Sequence, residues 1–414
     1  MIMANKIISG KNKILEWETM GHMLAVGLAF FLPISTAMTS VLITLLLLVW
    51  ILGPNLKKKK QILFHHPLSG WIFPIVILTL VGVIYSIGDN ESIRHSLRDG
   101  LRLGLIPILI YFYQSKKISK IALWAFSAAM VLTLFLAFLK IYANFPIGLK
   151  YTTGGVFKSH IKTSYFMAMA AFFLATQLKT LSLRHRLVTV FVIVLMIYYL
   201  FFMNEGRIGY ITFVLCSLLL AWQWYRLKGI LLMSFLAVVM LMGAYFTSSV
   251  FSARMNLLVQ DMDFYHQGGR LLESSLGSRI QFAHASGELV AQKPIIGWGT
   301  GSFGPAYAKL FEDQNTLLTD NPHNEYLRMS VELGLLGLIF LLGLFYQQWR
   351  LSMQLPKDIR GFCQGMLLTF MLGCLLNSWL KDFTEGYFYC LMTAICFASM
   401  PIQTQKVLVK ATLH

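Results

Sequence analysis

Apolar stretches of roughly 17–21 residues, the length a helix needs to cross the hydrocarbon core of a bilayer, recur along the chain. One long polar stretch, Ser248 to Asn324, interrupts them. The apolar stretches predict spans at Gly21–Leu32, Thr36–Leu52, Leu68–Ile87, Leu101–Tyr113, Ile121–Ile141, Ser164–Gln177, Leu187–Asn204, Ile208–Trp224, Gly229–Phe246, Tyr326–Tyr346, Phe362–Leu380 and Gly386–Met400. The first and fourth are short, so each could be longer, tilted or re-entrant. Because the pattern continues to the C-terminus, a lone signal peptide does not explain it. The reading is an all-α polytopic integral membrane protein of about twelve transmembrane helices, with one large, partly helical loop inserted before the tenth. Residues 1–247 would hold nine helices, 248–324 the loop domain, and 325–414 the last three helices and a tail.

Charge tests this layout independently. The chain carries 35 Lys and Arg against 18 Asp and Glu, a formal net charge of +17. If the N-terminus is cytoplasmic and every span crosses, the cytoplasmic connections hold 20 of the basic residues and only Glu16, Glu18 and Asp358 of the acidic ones. The outer side then holds 15 of each sign, so the whole excess lies on one face. This positive-inside pattern places the polar loop outside, in the periplasm if the cell is Gram-negative, with both termini cytoplasmic. The cations sit in short inter-helix turns, where anionic membrane lipids and insertion bias account for them; nucleic acid is not a partner this pattern suggests. The five cysteines all fall in predicted spans, without metal-ligand spacing, and read as small buried apolar residues.

Candidate chemistry clusters at the outer face. Asn204-Glu205-Gly206-Arg207 lies at the junction of two spans. Arg207 is costly at that depth unless it pairs, snorkels or faces a polar cavity. It either anchors a tight turn through Glu205 or lipid phosphate, or grips an anionic ligand, with Gly206 and Gly209 allowing close approach. Arg279 precedes a helix-like segment and is either a surface charge beside Glu288 or a second clamp on a diphosphate, which a guanidinium fork suits. Pro294 to Gly304 is glycine-rich and turn-forming. Its Gly297-x-Gly299-x-Gly301 spacing lacks the preceding strand of a nucleotide site, and a scaffold loop packing Trp298 or Phe303 is the alternative.

His323 stands between Pro322 and Asn324, just before an apolar helix. Asn321 or Asn324 can cap that helix, and its free N–H groups favour an anion. A neutral imidazole there can take a proton from a hydroxyl, with Glu325 or Glu332 as possible orienting groups, or it is simply a capping histidine. Lys150, Lys158, His160 and Lys162 make a basic outer loop that either funnels a phosphate-bearing lipid or is merely solvated. Arg94, Arg98 and Arg102 share one helix side and either meet an anionic headgroup or pair with Asp89, Glu91 and Asp99. Asp261, Asp263 and His266 have a loose metal-ligand look without recognised spacing; no metal site is assigned.

Asn321-Pro322-His323-Asn324-Glu325-Tyr326-Leu327, followed by Glu332-Leu333-Gly334-Leu335-Leu336-Gly337, resembles the signature of the O-antigen ligase and polymerase superfamily. Pro294-Ile295-Ile296-Gly297-Trp298-Gly299-Thr300-Gly301-Ser302-Phe303 is similar to its P-x-x-G-x-G-x-G-S-F pattern, and Asn204-Glu205-Gly206-Arg207 to its S-R-G segment, with glycine in place of the usual serine before the arginine. The resemblance implies a glycosyltransferase-C-like membrane enzyme that uses a glycan on undecaprenyl diphosphate at the periplasmic face. It implies Arg207 and Arg279 as the arginines binding the donor diphosphate, and His323 as the group activating the acceptor, in ligases a sugar hydroxyl of lipid A–core. No cofactor, nucleotide sugar or metal is implied. Asn324, Lys158, Lys162 and Arg98 are further candidate substrate contacts. The leading expectation is an O-antigen ligase. The alternatives are an O-antigen polymerase, a protein O-oligosaccharyltransferase and a non-enzymatic polysaccharide transporter or flippase; ionisable residues gathered at the outer edge, not mid-membrane, disfavour transport.

Overall fold

A computed structural model describes residues 2–148, 154–266, 275–311 and 318–402, and among these there are helices and loops but no strand. The first half comprises α1 (Ile2–Phe31), α2 (Thr36–Leu52), α3 (Leu56–His65), α4 (Ser69–Gly82), α5 (Asn90–Leu101), α6 (Leu105–Phe112), α7 (Lys116–Tyr142), α8 (His160–Gln177) and α9 (Leu183–Tyr198). The second comprises α10 (Arg207–Thr247), α11 (Ser249–His266), α12 (Ser275–Gln292), α13 (Phe303–Leu310), α14 (Glu325–Ser352), α15 (Lys357–Leu376) and α16 (Phe383–Phe397).

The expectation of twelve spans does not hold. Among the described residues, five helical stretches are long and apolar enough to cross a membrane: Lys116–Tyr142, Leu183–Met203, Arg207–Thr247, Glu325–Ser352 and Lys357–Leu376. A sixth is added if α2 and α3, bent by 117°, count as one broken span. Leu101–Tyr113 is a 3-10 turn followed by the eight-residue α6, about 12 Å of helix and far short of the hydrocarbon core. Leu68–Ile87 reduces to the 14 residues of α4, and Gly386–Met400 to the 15 of α16. Ile208–Trp224 and Gly229–Phe246 fall in Arg207–Thr247, two helical halves that meet at a kink at Arg226, where φ is 54° and ψ −139°. The expected glycosyltransferase-C-like architecture finds no support in this arrangement either. The several long apolar helices are those of a multi-pass membrane protein.

Burial within the bundle varies from helix to helix. In α8, Thr163 to Leu174 are buried on every side of the helix. Phe166 packs on Phe126 and Phe388, and Tyr165 on Trp379. Apolar residues that face other helices and residues that face lipid score alike in a sliding window. The second half of α10 shows the opposite case, with Leu231, Leu232, Phe235, Val238, Val239 and Met242 all exposed.

At one end of the bundle α14 breaks at Gly334, whose φ is 68° and ψ −169°. The glycine-rich loop before α13, an extended strand of chain and not a β-strand, fills the break. Trp298 and Gly299 donate N–H bonds to the carbonyls of Val331 and Glu332, at 2.8 and 2.9 Å. In return the N–H of Leu335 donates to Pro294 O at 2.8 Å. Backbone groups freed by the break are thus satisfied by the inserted strand. Gly297 has φ 71°, and a Cβ there would stand 2.5 Å from the Val331 carbonyl. This is the scaffold role for the glycine motif; Phe303 at its end is buried and Trp298 donates its indole N–H to Leu289 O at 2.9 Å.

Candidate active site

His323 is built into the turn that leads to α14. Its backbone sits at φ 51°, a left-handed conformation unusual for a side-chain-bearing residue. Two tethers hold it there. The backbone N–H of His323 donates to Asn321 Oδ1 at 2.9 Å, and Ser378 Oγ donates to that same oxygen at 2.7 Å. On the ring, Nδ1 lies 2.8 Å from Asn377 Oδ1, and Asn377 Nδ2 donates to Asp382 Oδ2 at 3.0 Å. One residue on, Asn324 caps α14 by accepting from the N–H groups of Tyr326 and Leu327, at 2.9 and 3.1 Å. Of the two asparagines offered by sequence, Asn324 is the cap and Asn321 shapes the turn.

Glu325 and Glu332 do not orient His323. Both carboxylates hold Arg328: Glu325 Oε1 accepts from it, and Glu332 Oε2 does so at 3.0 Å. Glu325 Oε2 also accepts the backbone N–H of Leu380 at 3.0 Å. All three side chains are buried, so removing either acid would strand a charge, a loss of about 3–5 kcal/mol. The ladder clamps the first turns of α14 to the 378–382 turn, which carries Asn377 and Asp382 towards His323. Arg102 completes the clamp, donating to Leu380 O at 2.9 Å and Asp382 O at 2.7 Å while paired with Asp99.

The two candidate arginines come together. Arg207 opens α10 after a turn in which the Gly206 N–H donates to Asn204 Oδ1 at 2.7 Å. Glycine is needed there because a Cβ would meet Ser164 and, at 2.6 Å, the carbonyl of His160. This is a physical reason for the departure from serine. Glu205 beside it forms an ion pair with Arg254 of α11. Arg279, exposed on α12, is close enough to feel Arg207: desolvation first, then the charge of Arg207, lowers its pKa. One turn along the same face of α12, Phe282 stacks on the His323 ring with centroids 6.0 Å apart. The elements carrying Arg207, Arg279 and His323 therefore converge.

Lys162 pairs with Glu385 at 3.4 Å, and its charge acts on Asp382. Lys158 is buried, 8% exposed, and desolvation brings its pKa down to about 8. Burial pushes the Glu385 carboxyl up to about 7, against the pull of Lys162. These lysines thus border the far side of the His323 network. Arg98 is different: its side chain is 59% exposed and lies 3.6 Å from Asp99, and the buried arginine of that helix side is Arg102. Lys150 and the side chains of Asp261, Asp263 and His266 lie outside the described residues. Asn377 and Asp382 had not been singled out by sequence: they follow an apolar helix with no motif around them. The Glu325, Arg328 and Glu332 ladder was readable from its i, i+3 and i+7 spacing.

A multi-pass helical membrane protein with a histidine, two neighbouring arginines and buried carboxylates gathered at one end of its bundle is the class these features define. Residues 191–342, which contain Arg207, Arg279 and His323, match the family model of the O-antigen ligases. The match spans 152 of the chain's 414 residues and supports an O-antigen ligase-type role. No curated protein matches the chain.

Proposed function

We propose that the protein is a glycosyltransferase that moves an O-antigen glycan from undecaprenyl diphosphate to a sugar hydroxyl of lipid A–core, at the periplasmic face of the inner membrane. The observation that carries this reading is the convergence of Arg207, Arg279 and His323 within the segment that matches the family. Two neighbouring guanidiniums can each give a diphosphate paired charge-assisted bonds. As the acceptor oxygen attacks the anomeric carbon, the sugar–phosphate bond breaks and its electron pair goes to the diphosphate. Arg207 and Arg279 stabilise the charge that develops there. His323 takes the proton of the attacking hydroxyl. A single displacement inverts the anomeric centre, and the two guanidiniums supply the leaving-group stabilisation without a divalent ion. Asn324, Lys158 and Lys162 border the same site and support the substrates; Arg98, exposed beside Asp99, is a further candidate contact.

The test is transfer in vitro. Purified protein receives undecaprenyl-diphosphate-linked glycan with lipid A–core or a second lipid-linked repeat unit, in EDTA, beside the His323→Ala protein. Transfer to lipid A–core that is lost in the variant supports the ligase. Growth on the carrier lipid would make the protein a polymerase, and abolition by EDTA would overturn the metal-independent step.

A further inference from the structure

We infer that Asn377 is the residue that sets the tautomer of His323, and that it does so as a neutral spacer between the imidazole and Asp382. This rests on His323 acting as the base in the proposed transfer. A carboxylate only accepts hydrogen bonds, so the group of Asn377 that faces Asp382 Oδ2 at 3.0 Å is its NH2. The oxygen of the same amide therefore faces His323 Nδ1 at 2.8 Å, and Nδ1 must carry the proton. Nε2 is left with its lone pair and is the nitrogen able to accept a proton from a substrate hydroxyl. Asn377 cannot turn over freely. It ends α15, with its N–H bonded to Gly373 O at 2.8 Å, and the neighbouring Ser378 holds the His323 turn through Asn321.

The spacer has a chemical consequence. A carboxylate placed directly on Nδ1 would fix the same tautomer but favour the imidazolium, removing the base near neutral pH. An amide supplies the orientation without a full charge. As His323 gains a proton, its Nδ1–H bond to Asn377 strengthens, and the polarised amide passes part of that demand to Asp382. The charged groups around this chain are Asp320 with its partner Lys381, Asp382 with Lys162, Glu385 and Glu325 beyond it, and Arg279 on α12, one turn from the Phe282 that covers the ring. Asn377 is thus a positioning residue for His323.

The tautomer can be read directly by nitrogen NMR of the full-length protein, labelled at histidine and held in lipid nanodiscs. The chain has ten histidines, and the signal lost in His323→Ala assigns the ring. The expected wild-type ring is protonated at Nδ1 and bare at Nε2. In Asn377→Leu that preference should disappear. In the swapped pair Asn377→Asp with Asp382→Asn, which keeps an amide donor between the two positions, it should persist, with the ring midpoint raised by about one pH unit or more, as a directly bonded carboxylate requires; the acid limb of the transfer rate should move up with it. A wild-type ring protonated at Nε2, or an Asn377→Leu ring still protonated at Nδ1, overturns the inference. If the leucine variant does not fold, an unchanged midpoint in the swapped Asn377→Asp, Asp382→Asn variant does the same. The tautomer belongs to the resting protein, so an Nδ1–H ring in a protein that catalyses no transfer would sink the base reading and leave the role of Asn377 standing.

Discussion

His323 combines a left-handed backbone with a ring held on two sides, by Asn377 and by Phe282. Such a conformation costs on the order of 1–3 kcal/mol and persists only where the surroundings enforce it. On the proposed reaction, His323→Ala should lower transfer by about 10²–10⁴-fold, the contribution of a general base. Arg207→Ala and Arg279→Ala should each cost about 10²-fold or more, while Lys57→Ala leaves the rate near wild type. Equal losses in all of these, in protein that still inserts and folds, would remove the two-arginine donor site. Glu385 offers a separate test. Its folded pKa, about 7, lies above the ordinary 4.5, so the folded state binds the proton more tightly. That contribution to stability is complete below about pH 4.5 and is lost as pH rises through 7. Glu385→Gln should therefore gain melting temperature over wild type at pH 8 and lose that advantage at pH 5, as followed by thermal unfolding in detergent. Arg207 and His323 could be singled out as candidates because each sits in a local motif, and Arg279 through the family resemblance. Asn377 could not, since it meets His323 from 54 positions away, across a turn that only tertiary packing brings round.

Among the elements, the exchange between broken α14 and the glycine-rich strand is the joint on which the site depends. A side chain at Gly334 would drive into the carbonyl of Ile295, and at positive φ it is strained even before that contact. Gly334→Ala and Gly297→Ala should each destabilise the fold by about 2 kcal/mol or more and reduce transfer in the same proportion as folded protein. Gly70→Ala and Gly287→Ala, where a Cβ meets nothing within 4 Å, should leave both quantities unchanged. A Gly334→Ala protein as stable as wild type would mean that the joint is looser than described. Sequence showed the glycines and the turn they imply. It did not show what they turn around, because the break in α14 lies inside an apolar run that reads as continuous helix.

For the whole molecule, hydropathy identified a helical membrane protein but not the number of its crossings. Twelve apolar stretches became five long helices and one bent pair, since helices such as α4, α6 and α16 are too short to cross. The charge asymmetry adds an expectation about sidedness that can be measured. All five cysteines are free and buried, so a membrane-impermeant maleimide should find little background in the native protein. Cysteine placed at Phe145 should label in intact spheroplasts, and at Lys117 only after permeabilisation. The reverse result would invert the orientation and move the site to the other compartment. One feature sets the scale on which the proposed enzyme would meet its substrates. Below Gly334, α14 continues for 18 residues, about 27 Å and close to the depth of the hydrocarbon core. The helix therefore works as a plumb line, with His323 pinned at a fixed height above the lipid and its setting locked by the strand wedged at the joint. A donor anchored by its own lipid presents its scissile bond at that height whether it carries one sugar unit or a long chain. Glycan length would then be invisible to the chemistry, because the reaction is gauged from the membrane upwards.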